Sequence, residues 1–224
     1  MTKNTTFILL FLISFFSISN AEVITTLKTD DKVVALTFDA CETKTPSYLD
    51  HKIIDFLVSQ KIPFTLFVSG KFIERNFQDL KNLYNTGLVS IQNHSYSHNN
   101  HMELLNEEEI KEDVLKNENL IIRLTGVKPK YFRFPAGNYG EKALRLVESL
   151  GYKVVHWTFP SGDPDKKITK EMLVAHVIRN TKPGSILIFH ANGRGYKTGE
   201  ALPEIVRILE QKGYRFIRLE DYLL

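Results

Sequence analysis

The sequence predicts one α/β domain on a mainly parallel sheet, with a closed or nearly closed barrel preferred over an open doubly wound sheet. Three observations carry this. Apolar, β-branched runs alternate with segments of helical periodicity about seven times along the chain, the pattern of strands joined by helical crossovers. The first such run, Val33 to Phe38, is apolar or β-branched at every position, as a strand covered on both faces should be. Finally, Asp39, His94, Arg133, Trp157 and His190 all stand at or just past the C-terminal ends of separate strand runs. In a barrel those ends form one rim, where active sites are built.

The elements follow in order. After the strand Val33 to Phe38, Ser47 is a plausible cap for a helix from Tyr48 to Gln60, whose stripe is Leu49, Ile53, Ile54, Phe56 and Leu57. Pro63 to Val68 reads as the next strand, Phe72 to Tyr84 as a helix, and Leu88 to Ile91 as a third strand. Glu107 to Leu124 is a long amphipathic helix stopped by Gly126, and its acidic start favours the helix N-terminus. Tyr131 to Phe134 is a short strand, Glu141 to Leu150 a helix, and Tyr152 to Trp157 a strand. A helix from Thr169 to Asn180, a strand from Ser185 to His190, a helix from Ala201 to Gln211 and a strand from Tyr214 to Arg218 complete the alternation.

The 224 residues suffice for one well-buried domain, and no linker, repeat or low-complexity run divides them. Lys3 precedes the apolar run Phe7 to Phe16, and Ser19 and Ala21 are small residues where a signal peptidase reads. The expectation is a secretory signal over residues 1–21, cleaved after Ala21, and an exported catalytic domain over residues 22–224. The apolar run is shorter than the about 20 residues of a membrane span, so no stable span is expected after cleavage. A formal charge of +3 and the lack of a basic stripe argue against nucleic acid. No glycine-rich phosphate loop follows a strand. One cysteine, Cys41, permits no internal disulfide.

The stretch His94-Ser95-Tyr96-Ser97-His98 places two imidazoles four residues apart. They meet on one face if the segment turns helically, and imidazole nitrogen is a common ligand for zinc and related ions. The bland alternative is a polar loop whose histidines bond to backbone, and other strand ends decide between the two.

Together with that pair, Thr37-Phe38-Asp39, Arg133-Phe134-Pro135-Ala136-Gly137, the run Trp157 to Asp163, and Ile188-Phe189-His190 resemble the ordered motifs of the polysaccharide deacetylase family, the carbohydrate esterases with a NodB-type domain. Each motif is weak alone, but five in order span nearly the whole mature chain. The resemblance implies a distorted (β/α)7-type barrel. It implies a divalent metal, zinc first, held by His94 and His98, and an N-acetylated glycan as substrate. It gives Asp39 as catalytic base and His190 as general acid, with Arg133 orienting Asp39 and Asp163 pairing on the Arg133 or His190 side. Ala136, Trp157 and Ile188 would contact substrate, the backbone N–H near Ala136 helping to hold the oxyanion.

One position departs from the family pattern. The usual second aspartate, the third metal ligand, is here Ala40. Asp50, at the start of the first helix, is the first substitute, Glu42 the second and Cys41 the third. The chain resembles a branch whose first motif reads Thr-Phe-Asp-Ala-Cys with an aspartate downstream, which favours Asp50. The readings left open are a deacetylase of peptidoglycan or chitin-like glycan, a non-catalytic glycan-binding protein without metal, and an amidase on a non-sugar amide.

Overall fold

In the computed structural model, residues 22–42 and 47–223 are described; the expected signal over residues 1–21 lies outside them. Among the described residues, β1 (Val23–Ile24), β2 (Val33–Ala40), β3 (Phe64–Val68), β4 (Val89–Asn93), β5 (Tyr131–Phe132), β6 (Lys153–Val155), β7 (Ile186–His190) and β8 (Arg215–Ile217) form one sheet. Its order is β1-β6-β5-β4-β3-β2-β7, with β8 also on β2, and every ladder is parallel. No continuous ladder joins the edge strands β1 and β7. Among the described residues the gap is crossed by isolated bridges, Thr26 with Ser185 and Phe159 with Leu187. The result is a distorted barrel with a seam. The strand β1 was not expected from sequence, because two residues are too few to set a period.

The helices are α1 (His51–Ser59), α2 (Gly70–Arg75), α3 (Phe77–Tyr84), α4 (Glu107–Thr125), α5 (Glu141–Ser149), α6 (Lys170–Asn180) and α7 (Thr198–Gln211). The single helix expected over 72–84 is two. Asn76 leaves helical geometry at φ −115°, and its side-chain amide donates to the Phe72 carbonyl at 3.0 Å. The cap of α1 is Asp50 rather than Ser47, its carboxylate accepting from Lys52 N at 3.1 Å. The start of α4 has a reciprocal cap, Asn106 to Glu109 N and Glu109 to Asn106 N, both at 2.9 Å.

Side-chain alternation along β2 divides the core. Val34, Leu36, Phe38 and Ala40 pack outward with Ile53, Leu57, Val177 and Ile205 of the helices. Val33 and Ala35 face the other way and pack with Tyr131, Val155 and Ile186. Thr37 and Asp39 continue that inward row, because successive strand side chains alternate. The row reaches the rim at Asp39, and the next position on it is Cys41. Ala40, fully buried in the outer layer, points the other way.

Candidate active site

Asp39, next to last in β2, is 5 % exposed and lies beside Arg133, which is wholly buried. Arg133 Nη1 donates to Asp39 Oδ1 at 2.7 Å. Its Nη2 donates to Thr37 Oγ1 at 3.0 Å and to the His156 carbonyl at 2.8 Å, and Nε to the Val155 carbonyl at 3.2 Å. The guanidinium lies 4.0 Å from the Phe67 ring centroid. Burial alone would raise the Asp39 pKa. The Arg133 guanidinium leads the opposing influences, which together hold the carboxyl below its ordinary value.

The histidine pair is brought together by a loop and not by the helical turn considered from sequence. Ser95 and His98 adopt left-handed backbone at φ 63° and 54°. The α4 residue Asp113 imposes this bend, its two carboxylate oxygens accepting from Tyr96 N and Ser97 N at 3.0 Å each. Ser95 Oγ accepts from His98 N, and Asn93 Oδ1 from Ser95 N, both at 3.0 Å. Asn117 of α4 in turn donates to Asn93 Oδ1 at 2.7 Å. The ring centroids of His94 and His98 stand 4.9 Å apart.

His94 Nδ1 lies 2.7 Å from the Arg133 carbonyl, so that nitrogen carries the proton. Its Nε2 is left as a lone-pair donor, 3.5 Å from Asp39 Oδ2. Burial lowers the pKa of His94 and takes that of His98 down to about 3, with His94 adding to the effect on His98. Both imidazoles are therefore neutral, the form that binds metal.

Among the described residues, one group of side chains can hold an ion. It comprises Cys41, His94 and His98, whose donor atoms all lie within 4.8 Å of one another. Asp50, the substitute ligand preferred from sequence, does not join it; its carboxylate accepts from the Lys52 amide of its own helix. Glu42 does not join it either; Arg75 holds it through two hydrogen bonds of 2.6 and 3.0 Å. The Cys41 thiol is pushed up to about 12 by burial and then by the Asp39 charge, against the opposing influence of Arg194 and Asn192.

Across the cavity, Asp163 pairs with His190 and not with Arg133. Its Oδ1 is 2.9 Å from His190 Nδ1, and its Oδ2 accepts from His190 N at 2.7 Å and Thr198 Oγ1 at 2.8 Å. Ser161 Oγ donates to Oδ1 at 3.0 Å. Burial works to lower the His190 pKa, but Asp163 and, further off, Asp39 win and raise it.

Asp39, His98, Ala136, Trp157, Asp163, Ile188, His190 and Arg194 line a cavity of about 280 Å³. Trp157 is partly exposed, so it is wall rather than core. Its indole lies so close to Gly137, at φ 74°, that a Cβ there would stand 2.6 Å from the ring. Ala136 also has positive φ, 55°, in the same tight turn. Of the side chains singled out from sequence, the cavity collects Asp39, His98, Ala136, Trp157, Asp163, Ile188 and His190, with His94 and Arg133 packed directly behind Asp39.

Sequence reasoning did not find Asp113, Asn192, Arg194 or Thr198. Their signals are contacts across more than one element, which no local pattern carries. Asp113→Ala is expected to weaken zinc binding by about 10- to 100-fold, the usual scale for losing an outer support of a ligand. Competition with a chromophoric chelator measures this, and an unchanged affinity would show that the loop holds its shape without Asp113.

Residues 26–155 match the family model for polysaccharide deacetylase. A peptidoglycan-N-acetylglucosamine deacetylase of Bacillus cereus is 33 % identical over 83 % of this chain, which spans 66 % of that relative's length. The solved structure of the Bc1960 peptidoglycan N-acetylglucosamine deacetylase superposes with a TM-score of 0.82 at 29 % identity, covering 91 % of this chain and 92 % of that one. The fold is also shared with BA3943 of Bacillus anthracis, described as a CE4 family pseudoenzyme, at a TM-score of 0.80 and 23 % identity over 91 % of this chain and 69 % of that one. With more than half of its length matched by that family model, Asp39, His94, His98 and Arg133 included, the chain belongs to the polysaccharide deacetylase family.

Proposed function

We propose that this protein is an exported, metal-dependent hydrolase that removes acetyl groups from N-acetylated amino sugars of a glycan, peptidoglycan first. The observation that carries the reading is the opposition of two tuned groups across one cavity. An ionised Asp39, 3.5 Å from a free imidazole nitrogen of His94, faces a His190 whose proton Asp163 retains.

An acetamide is a poor electrophile, and its amine is a poor leaving group. A divalent ion supplies Lewis acidity toward the carbonyl and acidifies water, and His94 and His98 are suited to hold it. Asp39 takes the proton of the attacking water. Arg133 keeps Asp39 ionised and fixes its direction. His190 delivers a proton to the departing amine, and Asp163 holds the ring in place. The turn at Ala136 offers backbone N–H to the oxyanion, while Trp157 and Ile188 form the slot for acetyl methyl and sugar ring. The glycan preference rests on relatives that bear peptidoglycan deacetylase names. Export rests on the residues 1–21 signal, and predicts an N-terminus at Glu22 in exported protein. Intact mass checks it, and retention of Met1 would defeat it.

The test is acetate release from N-acetylglucosamine oligomers and from peptidoglycan, run beside elemental analysis of the purified protein. Ala40 favours one second reading, a glycan-binding protein without catalysis. Metal-free protein that binds glycan and releases no acetate would support that reading. Ammonia without acetate would indicate an amidase on another substrate.

The pH profile has a worked sign. The base must be deprotonated, so activity falls as pH drops through the lowered Asp39 pKa. The acid must be protonated, so activity falls as pH rises through the raised His190 pKa. Asp163→Asn removes what raises His190, and its basic limb is expected to move to lower pH. A basic limb that stays in place would assign it to another group.

A further inference from the structure

We infer that Cys41, His94 and His98 form a thiolate–imidazole metal site, the Cys41 sulfur standing in for the carboxylate that Ala40 removes. The inference deepens the metal-dependent reading above and rests on it.

Strand alternation is the first ground. Position 40 faces the apolar layer under the helices, buried with Ile53, Leu57 and Val177. The inward row runs through Thr37 and Asp39, and its next member is Cys41. Cys41 is thereby delivered to the rim beside the two histidines. The second ground is convergence. Cys41 Sγ and one nitrogen from each histidine lie within 4.8 Å of one another. Zinc bonds of about 2.0–2.1 Å to nitrogen and about 2.3 Å to sulfur bring three such atoms to one ion after small side-chain rotations.

The third ground is the surroundings of the sulfur. Asn192 Nδ2 lies 3.3 Å from Sγ and also donates to the Cys41 carbonyl at 2.6 Å. Arg194 lines the same cavity, and its positive charge favours the thiolate. The Asn192 amide is placed to donate to a thiolate, and a bound divalent ion deprotonates a coordinating thiol outright despite the burial that raises the free thiol. In the step, the S–H bond breaks, its proton leaves to solvent, and the sulfur lone pair enters the metal bond. Fourth, nearby carboxylates are committed elsewhere: Asp39 to Arg133, Glu42 to Arg75, Asp50 to Lys52 N and Asp163 to His190.

One cysteine sulfur and two imidazoles leave a fourth position open, as catalytic zinc sites do. A thiolate also changes the choice of ion. Soft sulfur favours zinc and cobalt over magnesium and manganese, which prefer oxygen ligands.

The experiment titrates metal-stripped mature protein with Co2+ and records its absorption. Wild type is expected to develop an intense thiolate-to-cobalt charge-transfer band in the near ultraviolet, together with the visible bands of a tetrahedral ion. Cys41→Ser should lose the charge-transfer band and bind Co2+ at least about 10-fold more weakly. Asp50→Ala should keep both. The wild-type band needs no variant, so a misfolded Cys41→Ser would not shelter the claim. If wild type binds Co2+ without that band, or Cys41→Ser binds as tightly as wild type, Cys41 is no ligand; metal-dependent acetate release would then still stand on the histidines. If wild type binds no Co2+ or Zn2+, both this site and the metal-dependent reading fall.

Discussion

Asp39→Asn is expected to cut acetate release by about 100- to 10,000-fold, the range that general-base catalysis contributes, while the protein keeps its metal. The substitution is nearly isosteric, and the amide oxygen can still accept from Arg133 Nη1, which stands 2.7 Å from Asp39 Oδ1. What is lost is the ability to take a proton from water. Asp39 lies outside the Cys41, His94 and His98 group, so metal content should not fall with turnover. His94→Ala should behave differently, losing metal and activity together. The pair of variants separates base from ligand. Near-normal turnover in Asp39→Asn would make Asp39 structural and leave the proposed mechanism without a base.

The legible part of this fold was the part written in local pattern. The run Val33 to Phe38 in β2 and the buried run at Ile186–His190 are apolar enough to announce strands, and their polar ends announce a shared rim. Two kinds of feature were not legible. Short or interrupted elements, such as Val23–Ile24 and the break at Asn76, depend on partners far along the chain. The third ligand was read at Asp50 because a carboxylate was sought, and a helix start seemed a firm place for one. At that same position the otherwise unpaired Lys52 amide takes the carboxylate. The signal for Cys41 was nonetheless in the sequence: it lies two residues after Asp39, on the same side of an extended chain. Asp113 had no such signal, since its role comes from folding α4 against the histidine loop.

Arg133→Met should be the most destabilising change at this rim, and its cost should depend on pH. Methionine keeps length and apolar contact with the Phe67 ring, but removes the charge and every donor. Asp39 then stays buried without its main counter-ion, and the Val155 and His156 carbonyls lose their partner. Removing one member of a buried pair costs about 3–5 kcal/mol. In wild type the folded pKa of Asp39 is lowered, so its contribution is present above the unfolded value and is lost as pH falls through the folded one. In the variant, burial, the largest influence on Asp39, has lost its main opponent, and the folded pKa is expected to rise above the unfolded value of about 3.9. The sign then reverses. The carboxylate costs stability at neutral pH and is relieved by protonation as pH falls. The gap in melting temperature between wild type and Arg133→Met should therefore narrow between pH 7 and pH 5 by thermal unfolding. Adding Asp39→Asn to Arg133→Met should recover part of the loss, since the stranded charge is gone. A gap that is flat with pH, or a double variant no more stable than Arg133→Met alone, would show that Arg133 acts through packing and its backbone bonds rather than through the Asp39 charge.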